Sequence, residues 1–214
     1  MLELDSIPFP LADGPSPRPI STPPKANSMS LTFFEESRQI GDRTPIAYRE
    51  KRFAEIEEAL LKLVDRAEDT EQKVHALLSL GTHYHFVENL PAAEKAIEAL
   101  IQADPQEVLG WLGLAEHFHY YDEDFERAAS NIEIALAKAL AKKELVRQVL
   151  GARIRIALLN SDYALVHASL AALIEYQKLA GAIDVAFEKD FISQIPPHTV
   201  DMELLDRYVA LAGK

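Results

Sequence analysis

The chain contains no cysteine. A disulfide framework, a thiolate metal site and a cysteine nucleophile are all excluded, and the absence fits a reducing compartment. No glycine-rich loop is present to cradle phosphates, and Ser161, Ser169 and Ser193 lack the elbow motif and oriented base that a serine nucleophile needs. No stretch approaches the roughly 20 apolar residues that span a bilayer. The opening MLELDSIPFPL is acidic and prolyl, without the basic region and unbroken apolar run of a secretory signal. A cytoplasmic setting is therefore the expectation. Positive charge is also scarce, with 22 Lys and Arg against 34 Asp and Glu and a formal net charge of -12. That balance opposes a nucleic-acid backbone or an anionic membrane surface. The densest basic stretches, 48–53 (YREKRF) and 138–147 (KALAKKELVR), are interleaved with acidic or apolar residues and read as solvated helix faces.

What is present is enough apolar content, 48% of 214 residues, to bury a sizeable core in one domain or two small ones. Residues 1–44 hold seven of the twelve prolines. Proline lacks the amide donor and restricts the residue before it, so this stretch is expected to be a proline-rich, mostly disordered tail. Its apolar clusters, Ile7 with Phe9 and Leu31 with Phe33 and Phe34, could dock on a surface. Residues 45–214 are expected to form a helical domain. In it, Phe53, Ile56, Leu60, Leu63, Val64 and Ala67 mark one face of a capping helix within 45–69. Helical spacing then continues through 74–176 and into closing helices over 182–214, nine helices in all with no convincing strand.

The region 74–176 repeats. Laid 34 residues apart, Leu77 falls on Trp111, Leu80 on Leu114, Gly81 on Ala115, His83 on His117, Tyr84 on Phe118 and His85 on His119. Small residues recur on the return helices at Ala93, Ala128 and Ala164, and Pro91 and Asp104-Pro105 punctuate the first unit. A third, weaker unit runs from Leu145 to Tyr176. Leu77, Leu80, Gly81, Tyr84, Ala93, Ile97 and Pro105, with Trp111, Leu114, Ala115, Phe118, Ala128, Ile132 and Ala135, resemble the tetratricopeptide repeat. The departures are Leu100 where alanine is usual, and one extra residue in the second turn.

The resemblance implies an all-α fold, a right-handed superhelical stack of antiparallel helix pairs forming a tetratricopeptide-like α-solenoid. It also implies a concave groove lined by the first helix of each pair. The groove positions would be Thr82, His85 and Phe86, then Glu116, His119 and Tyr120, with Arg147 equivalent to His75 and Leu109 at the edge. Leu78 and Leu112 stand where relatives that grip chaperone tails carry a clamp lysine, which argues against that ligand. The expected function is a non-catalytic protein-protein interaction module binding a peptide or helical segment, with self-association open. A secretion-type chaperone for an apolar client is one alternative, although such chaperones lack a long proline-rich tail.

The other alternative is a metal-binding regulator or enzyme that uses His83-Tyr84-His85 and His117-Phe118-His119. Residues two apart on a helix point roughly 200° apart, so His83 and His85 cannot share an ion. Only a cross-repeat pair such as His85 with His119 could converge, and it would need Glu116 to complete the ligands. The expectation is that no metal or other cofactor is held. Asp122-Glu123-Asp124 lacks the spacing of a calcium loop and reads as a turn.

Overall fold

The computed structural model describes residues 31–180, 196 and 199–212. Among these residues the protein is all-helical. The helices are α1 (Phe33–Arg49), α2 (Phe53–Arg66), α3 (Thr70–Phe86), α4 (Leu90–Ala103), α5 (Val108–Tyr120), α6 (Phe125–Lys142), α7 (Val146–Leu159), α8 (Tyr163–Ala180) and α9 (Met202–Ala212). Each packs on the next in sequence, so that α1/α2, α3/α4, α5/α6 and α7/α8 form successive pairs in a solenoid-like stack, with α9 against α8. No described helix is long and apolar enough to cross a membrane. The helix expected at 183–195 lies outside the described residues.

The repeat is written into the turns. Lys51, Glu88, Glu123 and Ser161 all have left-handed backbone with φ of 58°, 58°, 52° and 56°. After three of them the chain closes the preceding helix in the same way. The amides of Arg52, Asn89 and Asp162 donate to the carbonyls of Ala47, Tyr84 and Ala157 at 2.8, 2.9 and 2.8 Å. The amides of Lys51, Glu88 and Ser161 donate to Tyr48, His85 and Leu158. This is the Schellman closure, made here without glycine. In the α5 turn the amide of Asp124 reaches Phe118, one residue further along, which is where the extra residue of the second repeat is accommodated. Asp124 then caps α6 by accepting from the Arg127 amide.

These turns identify α1/α2 as a first repeat and correct the end of the expected 1–44 tail, since residues 33–44 are helical; residues 1–30 of that expectation lie outside the described residues. Thr32 and Glu35 form a reciprocal capping box, in which the Thr32 amide donates to Glu35 Oε2 at 2.9 Å and the Glu35 amide to Thr32 Oγ1 at 3.3 Å. Phe33, Ile40 and Ala47, seven residues apart, are buried on one face. Pro45 sits inside this helix and removes the donor for the Gly41 carbonyl, a cost of about 3 kcal/mol that the cap and the buried face offset. Proline content of the whole stretch was misleading because its seven prolines all lie at or before Pro24 and residues 33–44 carry none.

Two apolar clusters fill the stack. The first joins Phe33, Ile40, Ile56, Leu60, Leu63, Leu80 and Tyr84; the second runs from Ile97 through Phe118, Ile132, Leu150 and Ile174 to Leu205. Helix α4 contributes to both. There the unusual Leu100 is fully buried, and it fits because α5 presents Gly110. A Cβ on Gly110 would lie 2.7 Å from Ile101 Cγ1 and 2.8 Å from Leu100 Cδ2. The large residue on one helix is matched by the missing side chain on its neighbour.

Candidate functional site

The shared turn allows positions on the first helices of successive pairs to be matched. Counting back from it, Ile46, His83, His117 and Ile156 are equivalent. So are Tyr48, His85, His119 and Leu158, two residues further on. The side chains at these two positions meet across repeats. Tyr48 Oη lies 2.7 Å from His83 Nδ1, and His85 Nε2 lies 2.9 Å from His117 Nδ1. Each contact joins the Tyr48-type position of one repeat to the His83-type position of the next. At the following step the ladder fails, because the position opposite His119 is held by Ile156, which has no polar atom. His119 Nδ1 is itself fully buried without a hydrogen bond.

Aromatic rings pack along the ladder. His85 stacks on Tyr121 with centroids 4.9 Å apart, Tyr48 stacks on Phe86 at 4.0 Å, and His119 meets Tyr120 edge-on at 4.4 Å. Burial in this apolar band disfavours the imidazolium form. It pushes His85 down to about 4, helped by the charge of His117, and His119 down to about 4, helped by Arg155. His83 is lowered by the same desolvation, and burial pushes the Tyr48 phenol up to about 12.

One residue beyond the ladder, at the last position of each helix, stand Phe86, Tyr120 and Leu159. They are 58%, 43% and 62% exposed, and they are equivalent by the same count, so an apolar row crosses three repeats at the ends of α3, α5 and α7. Next to it Arg155 donates through Nη2 to Glu116 Oε1 at 2.9 Å, again between equivalent positions of adjacent repeats. Burial raises the Glu116 carboxyl, and Arg155 pulls it back.

Of the residues expected to face a ligand, Thr82, Phe86 and Tyr120 are exposed, and the Thr82 hydroxyl donates to its own helix at the Leu78 carbonyl. His85 is half-buried and occupied by His117 and Tyr121. His119 is buried, at 3% exposure, and Glu116 is held by Arg155. The cross-repeat imidazole contact that does form is His85 with His117 rather than with His119, and Glu116 is paired with Arg155. Arg147 is half-buried at the start of α7, and the count places Gln148, one residue on, level with His75 and Leu109. His75 itself is engaged by Ser37 Oγ of α1 at 2.7 Å. Leu159, Arg155, Tyr48 and Tyr121 were not singled out from sequence. The first two required the register of the third unit, and Tyr48 required α1.

Comparison of the chain with protein-family models, curated proteins and solved structures returns no match.

Proposed function

We propose that this chain is a tetratricopeptide-like, non-catalytic protein-interaction module that holds an apolar peptide or helical segment along the row Phe86, Tyr120 and Leu159. The observation that carries this reading is the recurrence of an exposed large apolar side chain at one repeat position in three consecutive repeats. Single exposed hydrophobes are ordinary on protein surfaces, whereas an aligned row offers a contiguous apolar track. Burying the exposed half of each such side chain contributes about 1 kcal/mol, and three at regular spacing favour a ligand with apolar residues in matching register. The Glu116–Arg155 pair beside the row supplies polar groups that fix orientation. The imidazoles support a structural rather than catalytic role, because His83, His85 and His117 are engaged within the ladder.

The test is affinity capture from the native source with the intact protein and with a Phe86→Ser, Tyr120→Ser, Leu159→Ser variant whose helicity is checked by circular dichroism. The expected result is a stoichiometric partner that the variant loses. A partner retained in full by the folded variant refutes the row as its contact surface. Solubilisation of the captured partner on co-expression would place the module among chaperones for apolar clients.

A further inference from the structure

Where α4, α5 and the turn after α5 meet, Glu94, His117 and Asp122 each offer one ligand-type atom, and these atoms all lie within 4.8 Å of one another. His117 is 1% exposed, and its Nε2 faces Asp122 Oδ2 at 3.8 Å, beyond hydrogen-bond reach. The opposite ring nitrogen, Nδ1, is fixed by His85 Nε2 at 2.9 Å. A metal-bound imidazole is usually oriented in this manner, through a hydrogen bond to its other nitrogen. In the tautomer in which His117 donates from Nδ1 to His85, its Nε2 is a bare lone pair opposite two carboxylates. Three acceptors so close together favour a cation, and Arg127 meets only one of them, Glu94.

We propose that Glu94, His117 and Asp122 form a binding site for a divalent first-row transition metal such as zinc, with His85 orienting His117. One imidazole and two carboxylates suit this class of ion, and no thiolate is needed. At bond lengths of about 2.0–2.2 Å two ligand atoms stand no more than about 4.4 Å apart. The His117–Asp122 distance is already inside that limit. Glu94 and Asp122 are partly exposed side chains, so they close the remaining gap by rotation. Glu94 also accepts from Arg127 Nη2 through Oε1 at 3.0 Å, so the carboxylate has a counter-ion before metal arrives and a second oxygen to offer it. The ion would tie α4, the end of α5 and the turn leading to α6 into one unit, stiffening the frame next to the ladder.

The proposal goes beyond the protein-interaction reading and does not depend on it. The experiment is zinc titration of the chelator-stripped full chain by calorimetry, with thermal unfolding followed in parallel. Intact protein is expected to take up one equivalent and to gain melting temperature with zinc, since binding to the folded state alone stabilises it. A Glu94→Gln, Asp122→Asn variant, altered only at partly exposed positions, is expected to fold as before and to lose both effects. A His167→Ala variant, changed at an exposed histidine on α8, is expected to keep them. Absence of zinc uptake by the intact protein, or uptake that survives Glu94→Gln, Asp122→Asn, overturns the site.

Discussion

His119 is the last imidazole of a ladder whose next position carries only hydrocarbon. A buried polar atom left unpaired costs about 1–3 kcal/mol, while an apolar replacement of similar shape removes that cost. His119→Phe is therefore expected to stabilise the fold by about 1 kcal/mol, seen as a higher urea midpoint at unchanged slope. His83→Phe is expected to do the opposite, by about 1–3 kcal/mol, because it strands the Tyr48 hydroxyl. Equal effects of the two substitutions would contradict the ladder. The same residues set a pH dependence. His85 and His119 are held near 4 when folded and return to about 6.5 when unfolded, so between those values the unfolded chain binds more protons. Stability present above about pH 6.5 is lost as pH falls toward 4, with His75 and His83 acting in the same direction. The raised Glu116 opposes them. Urea midpoints measured across this range with chelator present are expected to fall, and to fall less in His119→Phe.

At the scale of elements, the match of Leu100 to Gly110 makes the α4–α5 contact testable as a pair. Leu100→Ala alone is expected to cost about 2–5 kcal/mol through the cavity it leaves. Gly110→Ala alone gains helix propensity but overpacks Leu100 and Ile101, for a net loss of about 1 kcal/mol. The double variant is expected to cost less than the sum, since alanine then fills part of the space vacated; strict additivity would show that the two residues do not share it. Helix α1 is tested through Pro45. Pro45→Ala restores the amide to the Gly41 carbonyl and is expected to stabilise by up to about 3 kcal/mol in thermal unfolding. Destabilisation would mean that the proline makes contacts outweighing its backbone cost. The Thr32–Glu35 box was a readable start signal for this helix, but the prolines on either side of it masked the signal. Elsewhere Pro91, Asp124 and Asp201 marked helix starts correctly, because caps are local and each was followed by a clear apolar period.

For the whole molecule, the all-helical stack was legible from the 34-residue offset, since Leu80 and Leu114, Tyr84 and Phe118, and His83 and His117 are buried in matching fashion. The site was only half legible. Phe86 and Tyr120 follow from that offset, but Leu159 and Arg155 lie 39 residues beyond Tyr120 and Glu116, so a fixed period passes over them. The direction of His119 was missed for a related reason. Adjacent helices decide whether an imidazole faces solvent or the next repeat, and that packing is tertiary. The proposed contact surface for partners is the row at the ends of α3, α5 and α7. It is tested most directly by placing a photo-reactive phenylalanine analogue at Tyr120 or Leu159, and as a comparison at the exposed Glu98 on α4, and cross-linking in the native source. A shared cross-linked partner from positions 120 and 159 and none from 98 is expected. Cross-linking from 98 alone would contradict it and move the binding surface to the second helices of the pairs.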